Sequence, residues 1–342
     1  MDRVKELQEN GHHDSGPQVT GIHPSDRQGS YIVESSSHIA PEVGTSTSRG
    51  WEKFWLEANE VADLLKQNNM STDDLLRSVI TPASSLARPP ISSYHVGAVG
   101  LGASGRLYVG VNLEFARLPI NNSVHAEQFL VANALHHGEQ AITKIAVSAA
   151  PCGHCRQFYS ELCCADSIRF FFGSNKQSYG LADILPQRFG PADLLSDPHT
   201  PLLLQPQHNS VELAAESQEL VASRDEVPFL EATKAALRQA VHSYAPYSQC
   251  PSGLAIVTAA GAVYSGPYLE SAAFNPSLGP LQAAVIDAVT DGIAYYTEVQ
   301  EVVLVEIRDA HVQHAANVRI ILEQIAPSAL LTVLLAERSD SP

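Results

Sequence analysis

Residues 97–114 read GAVGLGASGRLYVGVNLE, and residues 253–270 read GLAIVTAAGAVYSGPYLE. In the first stretch Leu107, Val109, Val111 and Leu113 alternate with period two, the spacing of a strand and not of a helix. Val96–Leu101 and Leu107–Leu113 therefore predict a hairpin turning at Ala103-Ser104-Gly105. Gly100, Gly102 and Gly105 also match a Gly-x-Gly-x-x-Gly dinucleotide pattern. That pattern works only when a helix starts at its last glycine and points its N-terminus at the pyrophosphate. A strand follows here, so these glycines are read as turn residues and not as a nicotinamide or flavin site.

The second stretch repeats the first. At a constant offset Pro90 meets Pro246, Ser92 meets Ser248, Gly97 meets Gly253, Gly105 meets Gly261, Tyr108 meets Tyr264, Gly110 meets Gly266, Leu113 meets Leu269 and Glu114 meets Glu270. Glycines at the same turn positions in both stretches point to two copies of one fold. Outward from the hairpin, 124–137 predicts a helix stopped at Gly138, 145–149 a buried strand, 153–162 a helix and 168–172 a further strand. Strands alternating with helices predict an α/β class: two tandem α/β/α sandwich domains with mixed, largely parallel sheets.

Upstream, Trp51, Phe54, Trp55, Ala58, Val61 and Leu65 recur at helical spacing, and Ser71 with Asp74 marks a second helix start. Residues 51–80 are read as a helical prelude, and residues 1–50, rich in serine and without periodicity, as a disordered tail. The acidic, proline-bearing stretch 196–226 is read as a linker, partly ordered by the Leu202–Leu204 run, between a catalytic domain over 81–195 and a second domain over 227–342.

The chain has 342 residues and a formal net charge of −16, with 44% hydrophobic and 17% charged residues. Soluble domains usually carry about 25% charged residues, so this composition suits a chain that also buries subunit surface. The acidic balance argues against a nucleic-acid backbone or an anionic membrane as partner. No apolar run approaches the roughly 18 residues of a spanning helix. The N-terminus shows neither a signal pattern nor a transit-peptide composition, and a cytoplasmic location is expected.

Chemistry concentrates in the first copy, where His125-Ala126-Glu127 is followed by Pro151-Cys152-Gly153-His154-Cys155. One imidazole and two thiolates would give Zn²⁺ three protein ligands and leave a fourth position for water, the arrangement of a catalytic site. Two thiolates neutralise the ion, and coordination shifts the water towards hydroxide. Both ligand groups fall where a helix is predicted to begin, and positive helix ends favour thiolates. Glu127 lies two residues from His125, a spacing at which helical side chains point apart. It suits an acid/base group better than a fourth ligand. His154 is expected to point away. Cys152 and Cys155 alone could form a redox pair or half a zinc knuckle, but a knuckle needs a second Cys-x-x-Cys, which this chain lacks. Cys163 and Cys164 are read as buried small hydrophobes, and Cys250 as a bystander.

The His-x-Glu…Pro-Cys-x-x-Cys order is that of zinc deaminases of nucleosides and bases. From about Trp51 to about Leu335 the chain resembles the cytidine deaminase family, in its two-domain homodimeric type of plants and enteric bacteria. The resemblance rests on Val96-Gly97-Ala98, Gly110-Val111-Asn112-Leu113-Glu114-Phe115, His125-Ala126-Glu127-Gln128 and Pro151-Cys152-Gly153-His154-Cys155-Arg156-Gln157-Phe158. Leu185-Pro186, Phe189-Gly190-Pro191, Tyr244-Ala245-Pro246-Tyr247-Ser248 and Ala273-Phe274-Asn275-Pro276 add to it. It implies zinc on His125, Cys152 and Cys155, and Glu127 as proton shuttle. It implies hydrolytic deamination of cytidine and 2'-deoxycytidine, with Asn112, Leu113 and Glu114 against the nucleoside and the Asn112 amide and Glu114 carboxylate on ribose hydroxyls. Tyr94 stands where the family usually has a phenylalanine that stacks on the pyrimidine. Phe189 is a candidate lid aromatic, with core packing as the alternative.

The second copy departs from this pattern. Gly279-Pro280-Leu281-Gln282-Ala283 stands where the first has His-Ala-Glu, Arg308 falls opposite Cys152, His311 opposite Cys155 and Tyr268 opposite Asn112. A non-catalytic copy kept for structure and dimerisation is expected. Two alternatives remain open at this point. One is a zinc deaminase of a related cytosine-containing substrate, and the other is a non-catalytic paralogue that binds or regulates.

Overall fold

The computed structural model describes residues 51–173 and 175–339, so the expected tail over 1–50 lies outside the described residues. The first half runs β1 (Trp55–Leu56), α1 (Ala58–Gln67), α2 (Thr72–Ser84), β2 (Gly97–Gly102), β3 (Leu107–Val111), α3 (Ala126–His136), β4 (Ile142–Val147), α4 (Gly153–Tyr159), β5 (Arg169–Phe172), α5 (Leu181–Ile184) and α6 (Pro191–Leu194). The second runs β6 (Val211–Leu213), α7 (Ala215–Ala222), α8 (Val227–Val241), β7 (Ser252–Thr258), β8 (Val263–Pro267), α9 (Pro280–Thr290), β9 (Val299–Ile307), α10 (Ala315–Ile325) and β10 (Leu330–Arg338). Among the described residues, no helix is long and apolar enough to cross a membrane.

Each half builds a five-stranded sheet, ordered β1-β3-β2-β4-β5 and β6-β10-β9-β7-β8. The repeated hairpins pair antiparallel as expected, Gly97 opposite Val111 and Gly253 opposite Pro267. The sheets are mixed, but the expectation that they are largely parallel is corrected. Among the described residues, only β4–β5 and β9–β10 pair as parallel strands, and every other strand pair is antiparallel. The cause is the α3 crossover, which brings the chain back in the direction of β3. The returning strand, β4, docks on the far side of β2, so β2 separates the two parallel strands and opposes both.

Helices cover both faces of each sheet because glycines let backbones meet. A Cβ on Gly97 would lie 2.7 Å from the Ile80 carbonyl of α2, and one on Gly110 would lie 2.1 Å from the Ala126 carbonyl of α3. Cross-strand register puts these two glycines on opposite faces. Gly253 against α8 and Gly266 against α9 repeat both contacts. α3 and α9 then pack together, and one apolar core runs through both halves.

Two segments differ from the sequence reading. The helix expected from Trp51 begins only at Ala58, because the Phe54 carbonyl accepts from the Val109 amide at 2.8 Å and from Asn133 Nδ2 at 2.7 Å. Those bonds lay β1 along β3, and the Phe54 ring stacks on Phe129 at 5.3 Å. The stretch 196–226 is ordered at the Leu202–Leu204 run, as expected, and beyond it also forms β6 and α7. Leu203 and Leu204 are buried, Leu203 bridges to Leu162, and Val211–Leu213 joins the second sheet beside β10.

Candidate active site

Two helix starts and one strand end build the site. His125 is the N-cap of α3, held over the end of β3 by the close approach at Gly110. Cys152 is the N-cap of α4, and Cys155 lies in its first turn, fully buried. His125 Nδ1 lies 3.5 Å from Cys152 Sγ and 3.3 Å from Cys155 Sγ, and the sulfurs are 3.6 Å apart. Tetrahedral zinc, with bonds of about 2.0 Å to nitrogen and about 2.3 Å to sulfur, needs ligand atoms about 3.5–3.8 Å apart. The donor set and spacing therefore fit this ion. Among the described residues, no other group of three His, Cys, Asp or Glu side chains offers ligand atoms within 4.8 Å of one another.

The electrostatics point the same way. Cys152 is pulled down to about 3, first by the neighbouring Cys155 sulfur and then by His125. His125 is raised, chiefly by its contact with Cys152, and Cys155 is raised by sharing a proton with Cys152 and by burial. A thiolate thus forms at the paired helix N-termini, where negative charge is favoured. Glu127, 5% exposed, has its carboxyl raised by burial. His154 does not turn away from the cluster. Its ring stacks on His125 at 4.8 Å between centroids, because the α4 turn folds it back over the α3 N-cap.

A cavity of about 440 Å³ opens beside His125 and Glu127, within the range of roughly 300–1,000 Å³ for small-molecule sites. Asn112, Glu114 and Tyr94 line it, together with Ile91, Ser92, Ile120 and Ser123, which sequence reasoning did not assign. The Ser92/Ser248 identity was the available signal for one of them. Asn112 donates from Nδ2 to the Tyr94 carbonyl and accepts at Oδ1 from the Val96 amide, both at 2.9 Å. Glu114 Oε2 accepts from the Ile91 and Ser92 amides at 2.9 Å, and Oε1 from Ser92 Oγ at 2.5 Å. Burial opposes its charge, but these bonds outweigh it and hold the carboxyl below its usual range. Tyr94 is 60% exposed at the cavity rim. Leu113 is fully buried, paired with Val124, and does not line the cavity. Phe189 does not line it either: it is 46% exposed, and its carbonyl accepts from Gln157 Nε2.

The second half has the same framework with other side chains. Gly279 caps α9 as His125 caps α3, and His314 caps α10 as Cys152 caps α4. The sequence offset that set Arg308 and His311 opposite the cysteines therefore fails here, because the loop leading into α10 is longer. Tyr268, opposite Asn112, is buried edge-on against His314 at 4.4 Å. Glu270 accepts from the Tyr247 and Ser248 amides at 2.8 and 3.1 Å, as Glu114 does from Ile91 and Ser92.

Residues 70–170 and residues 181–319 each match a family model for the cytidine and deoxycytidylate deaminase zinc-binding region. Cytidine deaminase 1 of Arabidopsis thaliana is 44% identical over 287 residues, which is 80% of this chain and 94% of that protein. Cytidine deaminase of Shewanella loihica is 40% identical over 251 residues, 73% of this chain and 79% of that one. A crystal structure of cytidine deaminase from Mycobacterium tuberculosis aligns with 36% of this chain and all of its own, at 26% identity and a TM-score of 0.32. With relatives this similar over nearly their whole length, and a matching model in each half, the chain belongs to the cytidine deaminase family.

Proposed function

We propose that this chain deaminates cytidine and 2'-deoxycytidine hydrolytically, giving uridine or 2'-deoxyuridine and ammonia, as a step of pyrimidine salvage. The supporting observation is the meeting of three metal-ligand atoms and a buried carboxylate at one nucleoside-sized cavity. His125, Cys152 and Cys155 would hold Zn²⁺, which when bound makes water a competent nucleophile near neutral pH. Glu127 takes a proton from the attacking water at its carboxylate and delivers it to ring N3. A second proton passes through the same carboxylate to the amine leaving C4.

A carboxylate offers about four acceptor positions, and the turn occupies three of those on Glu114. The last is left for a ribose hydroxyl. Asn112 likewise keeps one N–H and one lone pair beyond its bonds to the turn. Leu113 fixes the strand end that carries both, and Tyr94 provides a ring for the pyrimidine. The −16 charge supports a free nucleoside over a polynucleotide. In this reading 81–195 is the catalytic domain and 227–342 a non-catalytic copy. The active form is a cytoplasmic homodimer, supported by exposed Ile91, Tyr94 and Ile120 around the cavity mouth.

The test is an ammonia-release assay on the full chain with cytidine, deoxycytidine, cytosine, dCMP and single-stranded DNA, with and without a chelator. Chelator-sensitive turnover of the two nucleosides is expected. Glu127→Gln should keep stoichiometric zinc while kcat falls about 10²–10⁴-fold. Undiminished kcat in that variant removes Glu127 from the mechanism, and zinc-independent turnover removes the metal.

A further inference from the structure

Glu161 is a buried carboxylate with no part in this chemistry. It lies just past the C-cap of α4 and has no solvent exposure. Its Oε2 accepts from the Tyr244 hydroxyl at 3.0 Å and the Tyr247 hydroxyl at 2.5 Å. Its Oε1 accepts from Ser271 Oγ at 3.2 Å and the Ala272 amide at 2.8 Å. All four donors belong to the second half. A buried carboxylate satisfied so completely by another domain fixes the position of both partners, and losing its donors would leave a costly uncompensated charge.

These donors come from the copied turn. Glu270 holds the Tyr247 and Ser248 amides as Glu114 holds those of Ile91 and Ser92. Ser271 and Ala272 follow Glu270 directly, where Phe115 and Ala116 follow Glu114. The turn that borders the cavity in the first half thus grips the catalytic half in the second. What it grips is the far end of a seven-residue helix whose near end carries Cys152 and Cys155. Within the first half that near end is steadied by Arg156, which donates to the Pro151 carbonyl at 2.7 Å and the Ile184 carbonyl at 2.8 Å. At the other end the backbone of Glu161 and Cys163 pairs with Leu203, and the Glu161 side chain adds the restraint from the second half.

We infer that Glu161 is a positioning residue through which the second half sets where α4 places its two cysteines. This rests on the zinc reading of Cys152 and Cys155. It gives the half without a ligand set a part in holding the metal, although it contributes no atom to the site.

The experiment uses zinc-loaded full-length protein and reads zinc release to a chromogenic chelator, kcat and KM for cytidine, and Tm. Three variants are compared with wild type: Glu161→Gln, the double variant Tyr244→Phe/Tyr247→Phe, and Tyr296→Leu. The double variant removes both phenol donors and keeps both rings, so it decides the question if Glu161→Gln does not fold. Tyr296 lies at the same boundary away from α4, packed on Phe115 at 5.7 Å and beneath Arg88. Removing groups that orient metal ligands typically costs 10–100-fold in metal affinity. Zinc release about tenfold faster is expected in the first two variants, with kcat lowered and KM little changed. Tyr296→Leu should lower Tm and release zinc at the wild-type rate.

Wild-type release rates in both α4-directed variants overturn the inference. Equally fast release from Tyr296→Leu also overturns it, since any loosening of the boundary would then suffice. A wild-type chain that takes up no zinc overturns this inference and the zinc reading together. A zinc-replete wild type with unaffected variants overturns this inference alone.

Discussion

The two halves keep the same hairpin, the same pair of capped helix starts and the same carboxylate-held turn, yet only one gathers a ligand set. Glu114 and Glu270 each accept two consecutive backbone amides at equivalent positions, one beside a cavity and the other in a packed interior. Retention in a half whose described residues gather no ligand set identifies that contact as part of the scaffold. The differences fall on the site's side chains: Gly279, Leu281 and His314 stand where the first has His125, Glu127 and Cys152. Tyr268 takes the place of Asn112 and packs against His314. A duplicated chain thus carries its own control for telling fold residues from site residues.

That control can be challenged directly. The largest effect is expected from removing the capping side chain of α4 and of α10 in turn. Cys152→Ala should abolish zinc uptake and turnover, whereas His314→Phe should change neither, as metal analysis and a cytidine assay would show. Zinc lost from the second variant would mean that the second half holds metal after all.

A smaller effect separates the same pair by pH. Burial pushes His314 down to about 4 from its ordinary 6.5, so the unfolded chain takes up this proton well before the folded one. The stability contributed by neutral His314 is complete above about pH 6.5 and is lost as pH falls towards 4, by up to about 3 kcal/mol. Urea melts at about pH 7 and about pH 4.5 should show His314→Phe losing less stability than wild type. His136, lowered by burial of its side chain beside Asp287, leaves some acid sensitivity in both proteins. Equal losses would show that His314 titrates normally.

The smallest effect concerns the twin carboxylates. Glu270→Gln should cost about 1–3 kcal/mol of stability, because half-buried amides lose a charged acceptor, and Glu114→Gln, whose amides lie in an exposed turn, should cost less. Only Glu114→Gln should also raise KM for cytidine. A matching rise in KM for Glu270→Gln would mean that the turn acts on the site through the fold and not through substrate.

Much of this was legible in the sequence where local chemistry is restrictive. Period-two alternation over Leu107–Leu113 could only be a strand, and few pairs other than a histidine cap and a Cys-x-x-Cys helix start can present three soft ligands. The reading failed where distant partners decide. β1 is two residues long and exists because Val109 and Asn133 claim the Phe54 carbonyl. The pairing of Arg308 and His311 with the cysteines failed because of a loop whose length no offset could reveal. The burial of Leu113 follows from its pairing with Val124, and the exclusion of Phe189 from where α4 and its flanking loop meet. Glu161 carried no signal at all, since its four donors lie far along the chain.

The leading strands sit on opposite sides of their sheets: β1 closes the β3 side of the first, and β6 closes the β10 side of the second. Tandem copies are prone to a particular error as they emerge and fold, in which a segment of one copy inserts into its twin. Here β1 aligns Trp55 with Tyr108 beside the hairpin, whereas β6 aligns Leu213 with Ala336 at the far edge. Among the described residues, no strand covers the edge beside β8 that matches the one β1 takes, or the edge beside β5 that matches the one β6 takes. A swap between copies would therefore set each beginning on an edge that its own copy leaves bare, so what separates the two is the side chains of each edge and not its absence.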